Sequence, residues 1–304
     1  MTALHPRLQA LQRQLGVSTL SRIVDSATRA HNVELWLKRD DLLHPVISGN
    51  KWRKLKYPLN DALYAGAHTV VSMGGAYSNH LHALAFAARE LGLHSAAYIR
   101  GERPGVLNPT LADLQRWGMQ LHFVSRSAYR DLRYSDVTAG ALNLQAGSYW
   151  IPEGGASRQA LTGVAEIVSE LDCAYDVLVC ACGTGTTLAG LIGAARAETK
   201  ILGVAALKGG EFLHRDIPAL LGRLQPVCDW ELLLNYHCGG FAKTRPELTD
   251  FISNFRLTHD VPLEPIYTGK ALYAIYDLLN KDYFVAGQRI VALHTGGLQG
   301  ARRQ

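Results

Sequence analysis

Four short segments of this chain carry residue types and spacings that can do chemistry. In the first, LWLKRDDLLHPVISGNKWRKLKY over residues 35–57, a strand leads to a loop ending Ser48-Gly49-Asn50 and then to a lysine-rich helix with Lys51 in its first turn. A cation there opposes the helix dipole, which disfavours the charged amine and keeps it neutral enough to act as nucleophile or base. A lysine that forms a Schiff base has that need. The same residues also read as a solvated basic face made by Lys51, Arg53, Lys54 and Lys56. The second segment, GGAYSNH from Gly74 to His80, lies between a strand and an apolar helix. Backbone amides at that helix start, with the side chains of Ser78 and Asn79, form a cradle for carboxylate or phosphate, and Ser78 is able to move a proton. Alternatively one of the two is simply the N-cap.

The third segment is CGTGTTLAG, Cys182 to Gly190, again strand, turn and helix, with free amides at Gly183 and Gly185 and hydroxyls from Thr184, Thr186 and Thr187. It lacks the lysine of a nucleotide-triphosphate loop, and Leu188 occupies the third glycine position of the dinucleotide fingerprint, so a monophosphate suits it better. A plain strand-to-helix turn is the alternative. The fourth is the pair PIYTGKA, residues 265–271, and LHTGG, residues 293–297. Thr295 follows an apolar strand, where a hydroxyl can bond a neutral ring nitrogen without protonating it, and Tyr267 can serve as acid, base or carboxylate ligand. Either can also be a packed residue with a satisfied hydroxyl.

These segments need elements to hold them, and the chain shows βα alternation. Strands are expected over Thr69–Met73, Ser95–Ile99, Met119–Val124, Ser148–Ile151, Asp176–Cys182 and Ile201–Leu207. Helices are expected over Asn79–Leu91, from Asn108-Pro109-Thr110 onward, and over Ser157–Leu171 and Thr186–Ala197. Asn108 is a good N-cap with Pro109 in the first turn. The class is α/β with mostly parallel sheets. Several strands run into glycines (Gly74-Gly75, Gly183, Gly209-Gly210, Gly296-Gly297), and because open α/β sheets bind ligands beyond their carboxyl ends, these four turns are candidates to converge on one site.

With 304 residues, 48% hydrophobic and 19% charged, the chain can bury a large core, which excludes disorder, and the length favours two sheets over one. A formal charge of +5 without a block of like charges argues against nucleic acid or an anionic membrane as the main partner. Five cysteines without paired spacing argue against a disulfide framework or zinc site and for a reducing cytoplasm. The start lacks the apolar run of a signal peptide. Val177–Ala195 has the length of a membrane span but holds GTGTT, and is better read as strand, turn and helix. His80, His82 and His294 have no metal-site spacing, and packed or capping roles suit them. Cys180 and Cys182 read as core beside the phosphate turn.

Taken in order, SGNKWRKLKY, the GGxxSNH turn, the Gly-Thr turn, PIYTGKA and HTGG resemble the pyridoxal-phosphate enzymes grouped as aminocyclopropane-carboxylate deaminases and D-cysteine desulfhydrases, over about residues 15–300. The resemblance implies the tryptophan synthase β-like fold (fold type II), with two open parallel-rich sheets and helices on both faces. Residues 1–53 and 166–304 would form a large cofactor domain, residues 54–165 a small inserted α/β domain, and the site would lie in the cleft between them. It also implies pyridoxal 5'-phosphate as cofactor, a small amino-acid substrate, no metal and a homodimer. Lys51 is implied as the Schiff-base lysine that shuttles the substrate proton, with Asn50 beside the cofactor, Asn79 at the ring hydroxyl, Gly183 to Thr187 at the phosphate and Thr295 at the ring nitrogen. Gly75, Tyr77, Ser78, Asn79, His80 and Tyr267 would meet the substrate, with Ser78 and Tyr267 catalytic.

Three positions depart from the family pattern. Tyr77 stands where glutamine is usual, Phe241 in CGGFAKT where a second tyrosine is expected, and Thr268 where the deaminases carry an acid. Phenylalanine cannot exchange a proton, so these departures favour β-elimination from D-cysteine or a similar D-amino acid. Ring-opening of 1-aminocyclopropane-1-carboxylate to 2-oxobutyrate is the alternative. A protein that binds the cofactor with little turnover is a second alternative, and a nucleotide-binding protein without the lysine chemistry a third.

Overall fold

A computed structural model describes residues 3–47, 49–134 and 144–301; Ser48 of the loop before Lys51 lies outside them. Among these residues the strands are β1 (Leu20–Ile23), β2 (Glu34–Lys38), β3 (Thr69–Gly74), β4 (His94–Arg100), β5 (Met119–Val124), β6 (Ser148–Trp150), β7 (Val177–Cys182), β8 (Lys200–Ala205), β9 (Asp229–Leu233) and β10 (Arg289–Leu293). The helices are α1 (Pro6–Gln12), α2 (Ser26–Ala30), α3 (Asn50–Tyr64), α4 (Asn79–Glu90), α5 (Pro109–Arg116), α6 (Arg126–Tyr134), α7 (Arg158–Ser169), α8 (Thr186–Ala194), α9 (Leu213–Leu221), α10 (Pro246–His259) and α11 (Thr268–Leu279).

The strands form two sheets. One has the order β1-β2-β10-β7-β8-β9 and is parallel except for the β1–β2 pair; the other has the order β5-β4-β3-β6 and is parallel throughout. Every residue of β7 (VLVCAC) is buried, as a strand covered on both faces requires, and the stretch long enough for a membrane span is β7, a glycine turn and α8. No helix among the described residues is long and apolar enough to cross a membrane.

The strand orders create the site. From β7 the chain steps outward to β8 and β9, then returns with β10 to the other side of β7, so the order reverses between β7 and β10. In the second sheet it steps from β3 to β4 and β5 and returns with β6 on the other side of β3. Crevices open at the carboxyl ends of strands where such a reversal occurs. Both reversals contribute to one cavity, which Gly75, Glu153, Gly183 and Thr295 all line.

The local sequence explains most boundaries. Asn108 accepts the Leu111 N–H at 3.0 Å as the N-cap before Pro109, as its residue type predicts. The helix expected over Thr186–Ala197 stops at Ala194, because Ala195 turns extended (φ −68°, ψ 157°) so that the Lys200 N–H can reach the Asp176 carbonyl and start β8. The strand expected over Ile201–Leu207 runs Lys200–Ala205.

Helix α7 is wedged between α3 and α8 by two glycines. A Cβ on Gly163 would lie 2.0 Å from the Arg53 carbonyl oxygen, and one on Gly190 would lie 2.5 Å from the Val164 Cβ. Buried charges lock the same joint: Arg53 pairs with Asp40 at 3.0 Å and with Glu170 through both terminal nitrogens, and Lys38 pairs with Glu170 at 2.9 Å. Because the backbone blocks any Cβ at Gly163, Gly163→Ala should destabilise the protein by about 3 kcal/mol, the upper range of overpacking costs, as read by urea denaturation.

Candidate functional site

The cavity has a volume of about 290 Å³. Lys51 lies in the first turn of α3, and the loop before it is pressed onto the end of β10. Gly49 takes φ +60°, a Cβ on it would lie 1.9 Å from the Thr295 carbonyl oxygen, and the Asn50 N–H reaches that same oxygen at 3.3 Å. Only glycine fits there. The Lys51 ammonium donates to Asn50 Oδ1, and Asn50 Nδ2 donates to Thr187 Oγ1 at 2.9 Å, so a two-bond relay joins the lysine to the Gly-Thr turn.

Burial lowers the Lys51 pKa to about 7; the neighbouring Lys54 charge lowers it further, and Glu264 opposes the shift. The sequence argument named the helix dipole, whereas the larger cause is desolvation. Lys54, one turn on, also lines the cavity, and burial lowers its pKa to about 8. Neither amine has an ion-pair partner among the described residues.

The glycine-threonine segment has the strand, turn and helix expected of it. Gly183, Thr184, Gly185 and Thr187 line the cavity at the N-terminus of α8, and Gly185 takes φ +78°. Thr186 is fully buried behind it, with its hydroxyl 2.9 Å from that of Thr184. In the second segment Gly75, Tyr77, Ser78, Asn79 and His80 all reach the cavity. Ser78 is the N-cap of α4, accepting the Leu81 N–H at 3.2 Å, which leaves its own O–H free to donate. Asn79 packs on Gly297 so closely that a Cβ there would lie 2.8 Å from its Nδ2. His80 is buried, its Nε2 is 2.9 Å from Ser72 Oγ and its Nδ1 has no hydrogen-bond partner among the described residues. Burial, then Lys51 and Lys54, push its pKa down to about 3, so the ring is neutral.

Tyr267 and Thr295 complete the lining, and the Thr295 hydroxyl lies 3.3 Å from that of Thr268. Burial, with Glu264 and Glu153 adding to it, pushes the Tyr267 phenol well above its ordinary pKa, so it can donate a proton but not hold a negative charge. Phe241 meets the Tyr267 ring edge-on, centroids 6.1 Å apart, at the position where a second tyrosine was expected. Of the four glycine turns, neither Gly209-Gly210 nor Gly296-Gly297 lines the cavity with its glycines: Gly210 packs against Ala205 and Leu234, the turn after β8 contributes Leu207, and the turn after β10 contributes Thr295.

Sequence reasoning missed several contributors. Lys54 was visible only as part of a basic face, although its i+3 spacing from Lys51 places both on one side of the helix. Glu264, fully buried, accepts the N–H groups of Ile266, Tyr267 and Thr268 at the start of α11. Burial raises its pKa while those three N–H groups and Lys51 pull it back. A carboxylate just before a helix start was its available signal. Glu153, Arg100 and Arg133 also line the cavity and had no local signal.

A lysine poised near neutrality, a glycine-threonine anion turn and a ring of small polar side chains at the reversal points of two parallel sheets define the class of α/β enzymes that bind a phosphorylated aldehyde cofactor through lysine. The chain belongs to the pyridoxal-phosphate-dependent enzyme family, which it matches over residues 18–296. It is 30% identical to the mitochondrial bifunctional D-cysteine desulfhydrase/1-aminocyclopropane-1-carboxylate deaminase of Arabidopsis thaliana, over 89% of this chain and 74% of that protein. It is 27% identical to a D-cysteine desulfhydrase of Yersinia pestis, over 96% of this chain and 94% of that one. Its fold matches the crystal structure of an ACC deaminase homologue with a TM-score of 0.78 at 28% identity, covering 98% of this chain and 97% of that chain. The fold is fold type II, and pyridoxal phosphate is the cofactor.

The cavity fits that cofactor on its own chemistry. A buried lysine without a carboxylate partner, Lys54, faces the same space as the open N-terminus of α8, and a phosphate satisfies both. In cofactor-free protein, a lowered pKa means that the neutral, reactive fraction of Lys51 grows as pH rises through about 7. Acylation of Lys51, followed by peptide mapping against pH, should therefore show a midpoint near 7. Lys54→Met removes a like charge and should move that midpoint upward.

Proposed function

We propose that this chain is a pyridoxal-phosphate-dependent lyase of small amino acids whose preferred reaction is β-elimination from D-cysteine or a similar D-amino acid. The observation that carries this reading is the Lys51 amine with its pKa lowered to about 7, sharing one cavity with the Ser78 hydroxyl and the protonated Tyr267. One D-cysteine and one water give pyruvate, ammonia and hydrogen sulfide. When bound, pyridoxal phosphate supplies the electron sink for charge left at the substrate Cα.

The chain's own residues do the rest. Lys54, the Thr187 hydroxyl and the N–H groups from Gly183 to Thr187 would hold the phosphate, Asn79 would meet the ring hydroxyl and Thr295 the ring nitrogen. The neutral Lys51 amine takes the Cα proton, and Asn50, bonded to both Lys51 and Thr187, holds that amine in register with the phosphate turn. The Ser78 O–H and the first N–H groups of α4 receive the substrate carboxylate beside Gly75, Tyr77 and His80. Tyr267 donates a proton toward the departing sulfur.

Ring-opening of 1-aminocyclopropane-1-carboxylate is the second reading, favoured by the presence of Ser78 and Tyr267 together. It makes a heavier demand: that substrate has no α-proton, so its ring must be opened by a nucleophile or by proton removal from a ring carbon. Phe241 beside Tyr267 supplies neither. We further propose residues 54–165 as the small inserted domain, with 1–53 and 166–304 as the larger one. The membership of the four-stranded sheet, drawn wholly from residues between 69 and 150, supports this. A homodimer in the cytoplasm completes the proposal, and five free cysteines support a reducing compartment.

The test is an absorption spectrum of the holoenzyme before and after D-cysteine, with pyruvate and sulfide assayed together. A band that shifts with formation of both products is expected, and Lys51→Ala should lose about a thousandfold or more in turnover, within the range of acid–base catalysis. A shift without product from any amino acid would indicate cofactor binding alone. Phe241→Tyr should raise ring-opening relative to elimination, read as the ratio of 2-oxobutyrate to pyruvate rates.

A further inference from the structure

We infer that Arg100 selects substrates carrying a second anionic group, beyond the α-carboxylate, on the leaving group of the amino acid. The inference rests on the lyase reading above and names the substrate class for the same cavity.

Arg100 ends β4, and its guanidinium reaches the turn proposed to receive the substrate: a Cβ built on Gly75 would lie 3.8 Å from Arg100 Nη2. The guanidinium also lies over the Tyr129 ring, 5.7 Å from its centroid, which limits its freedom. A second cavity-lining arginine, Arg133, is already answered: its Nε is 3.2 Å from Glu153 Oε2, while Glu153 Oε1 accepts the Tyr129 hydroxyl at 2.5 Å. Both oxygens of Glu153 are therefore engaged by Arg133 and Tyr129. Arg100 makes no ion pair among the described residues.

Beside the cavity lies a surface recess lined by Arg100, Arg126, Tyr129, Arg130, Arg133 and Tyr134, and Arg100 and Arg133 line both. Arg126, Arg130 and Arg133 fall at i, i+4 and i+7 on α6, one face of the helix. Four guanidinium groups thus line the recess next to the proposed substrate turn, and Glu153 lines the cavity beside two of them, Arg100 and Arg133. A monocarboxylate amino acid already has its receptor in the Ser78 hydroxyl and the start of α4. The positive charge beyond that turn exceeds what one α-carboxylate neutralises, and a planar, stacked guanidinium suits phosphate, sulfonate or carboxylate oxygens.

For an O-phosphorylated D-serine the balance is simple. The Cα–H bond breaks with the proton going to the Lys51 amine, and the Cβ–O bond breaks with its electron pair leaving on phosphate. One water then converts the remainder to pyruvate and ammonia.

The test compares kcat/KM for O-phospho-D-serine with that for β-chloro-D-alanine, which undergoes the same elimination with an uncharged side chain, in wild type, Arg100→Gln and Arg100→Lys. Comparing variants cancels the intrinsic difference between the two leaving groups. Arg100→Gln should lower the ratio of the phosphorylated to the chlorinated substrate about tenfold, chiefly through KM, the scale of one charge-assisted contact, and Arg100→Lys should restore most of it. An equal fall for both substrates would overturn the inference, since it would make Arg100 a ligand of the α-carboxylate or a structural residue. Calorimetric binding of O-phospho-D-serine separates this inference from the lyase reading. Binding that weakens in Arg100→Gln while no substrate is turned over would uphold the arginine's role and sink the lyase reading. Absence of binding in wild type would overturn the inference.

Discussion

The cavity is organised by the burial of two lysines, Lys51 and Lys54, one turn apart on α3, with no ion-pair partner for either among the described residues. An ammonium group withdrawn from water without a counter-charge is costly, and a protein relieves that cost by shedding the proton or by admitting an anion. Both routes are open here. Lys51 and Lys54 have pKa values drawn down to about 7 and about 8, and the unfilled N–H groups at the start of α8 add to the demand for negative charge. A phosphorylated cofactor that condenses with an amine answers both needs at once. The fully buried Glu264, tied to the N–H groups of Ile266, Tyr267 and Thr268, opposes the Lys51 shift and forms no ion pair with it among the described residues.

That electrostatic arrangement survives only if the pieces around it are rigid. The loop before Lys51 is pinned by Gly49 against Thr295, so the lysine and the end of β10 move as one body. Asn50 bridges 137 residues to Thr187 and so fixes the lysine relative to the glycine-threonine turn. Behind them, Arg53 ties α3 to Asp40 and to Glu170, the C-cap of α7, and the glycine contacts at Gly163 and Gly190 bring three helices closer than side chains would allow. The lysine helix therefore has a charged anchor behind it, and both sheets bring their reversal points to the cavity that its first turn lines.

Much of this was legible in the chain. The βα alternation, the capping at Asn108, the two polar helix starts at Ser78 and Thr186, and the lysine in the first turn of α3 all depend on bonds that close within about five residues, and such bonds leave their mark in local sequence. Fine boundaries were less legible: α8 ends three residues early because the chain must turn to meet Asp176, a distant partner just before β7. Gly209-Gly210 had the same local signature as the other glycine turns yet stays outside the cavity, since a glycine pair encodes a turn and not the direction in which the turn faces.

The sequence by itself determined the α/β class, the order of the elements, and a set of residues from Asn50 to Thr295 suited to holding a phosphorylated cofactor, because each of those properties is local. Only the tertiary structure decided that Lys54 shares the cavity with Lys51, that Glu264 is buried close enough to oppose the Lys51 shift, and that Arg100 and Arg133 line the cavity too. Those facts depend on how far each charge is removed from water and on which distant group stands beside it. Burial and long-range proximity come from packing elements that are distant in the chain, and no spacing within a segment records them.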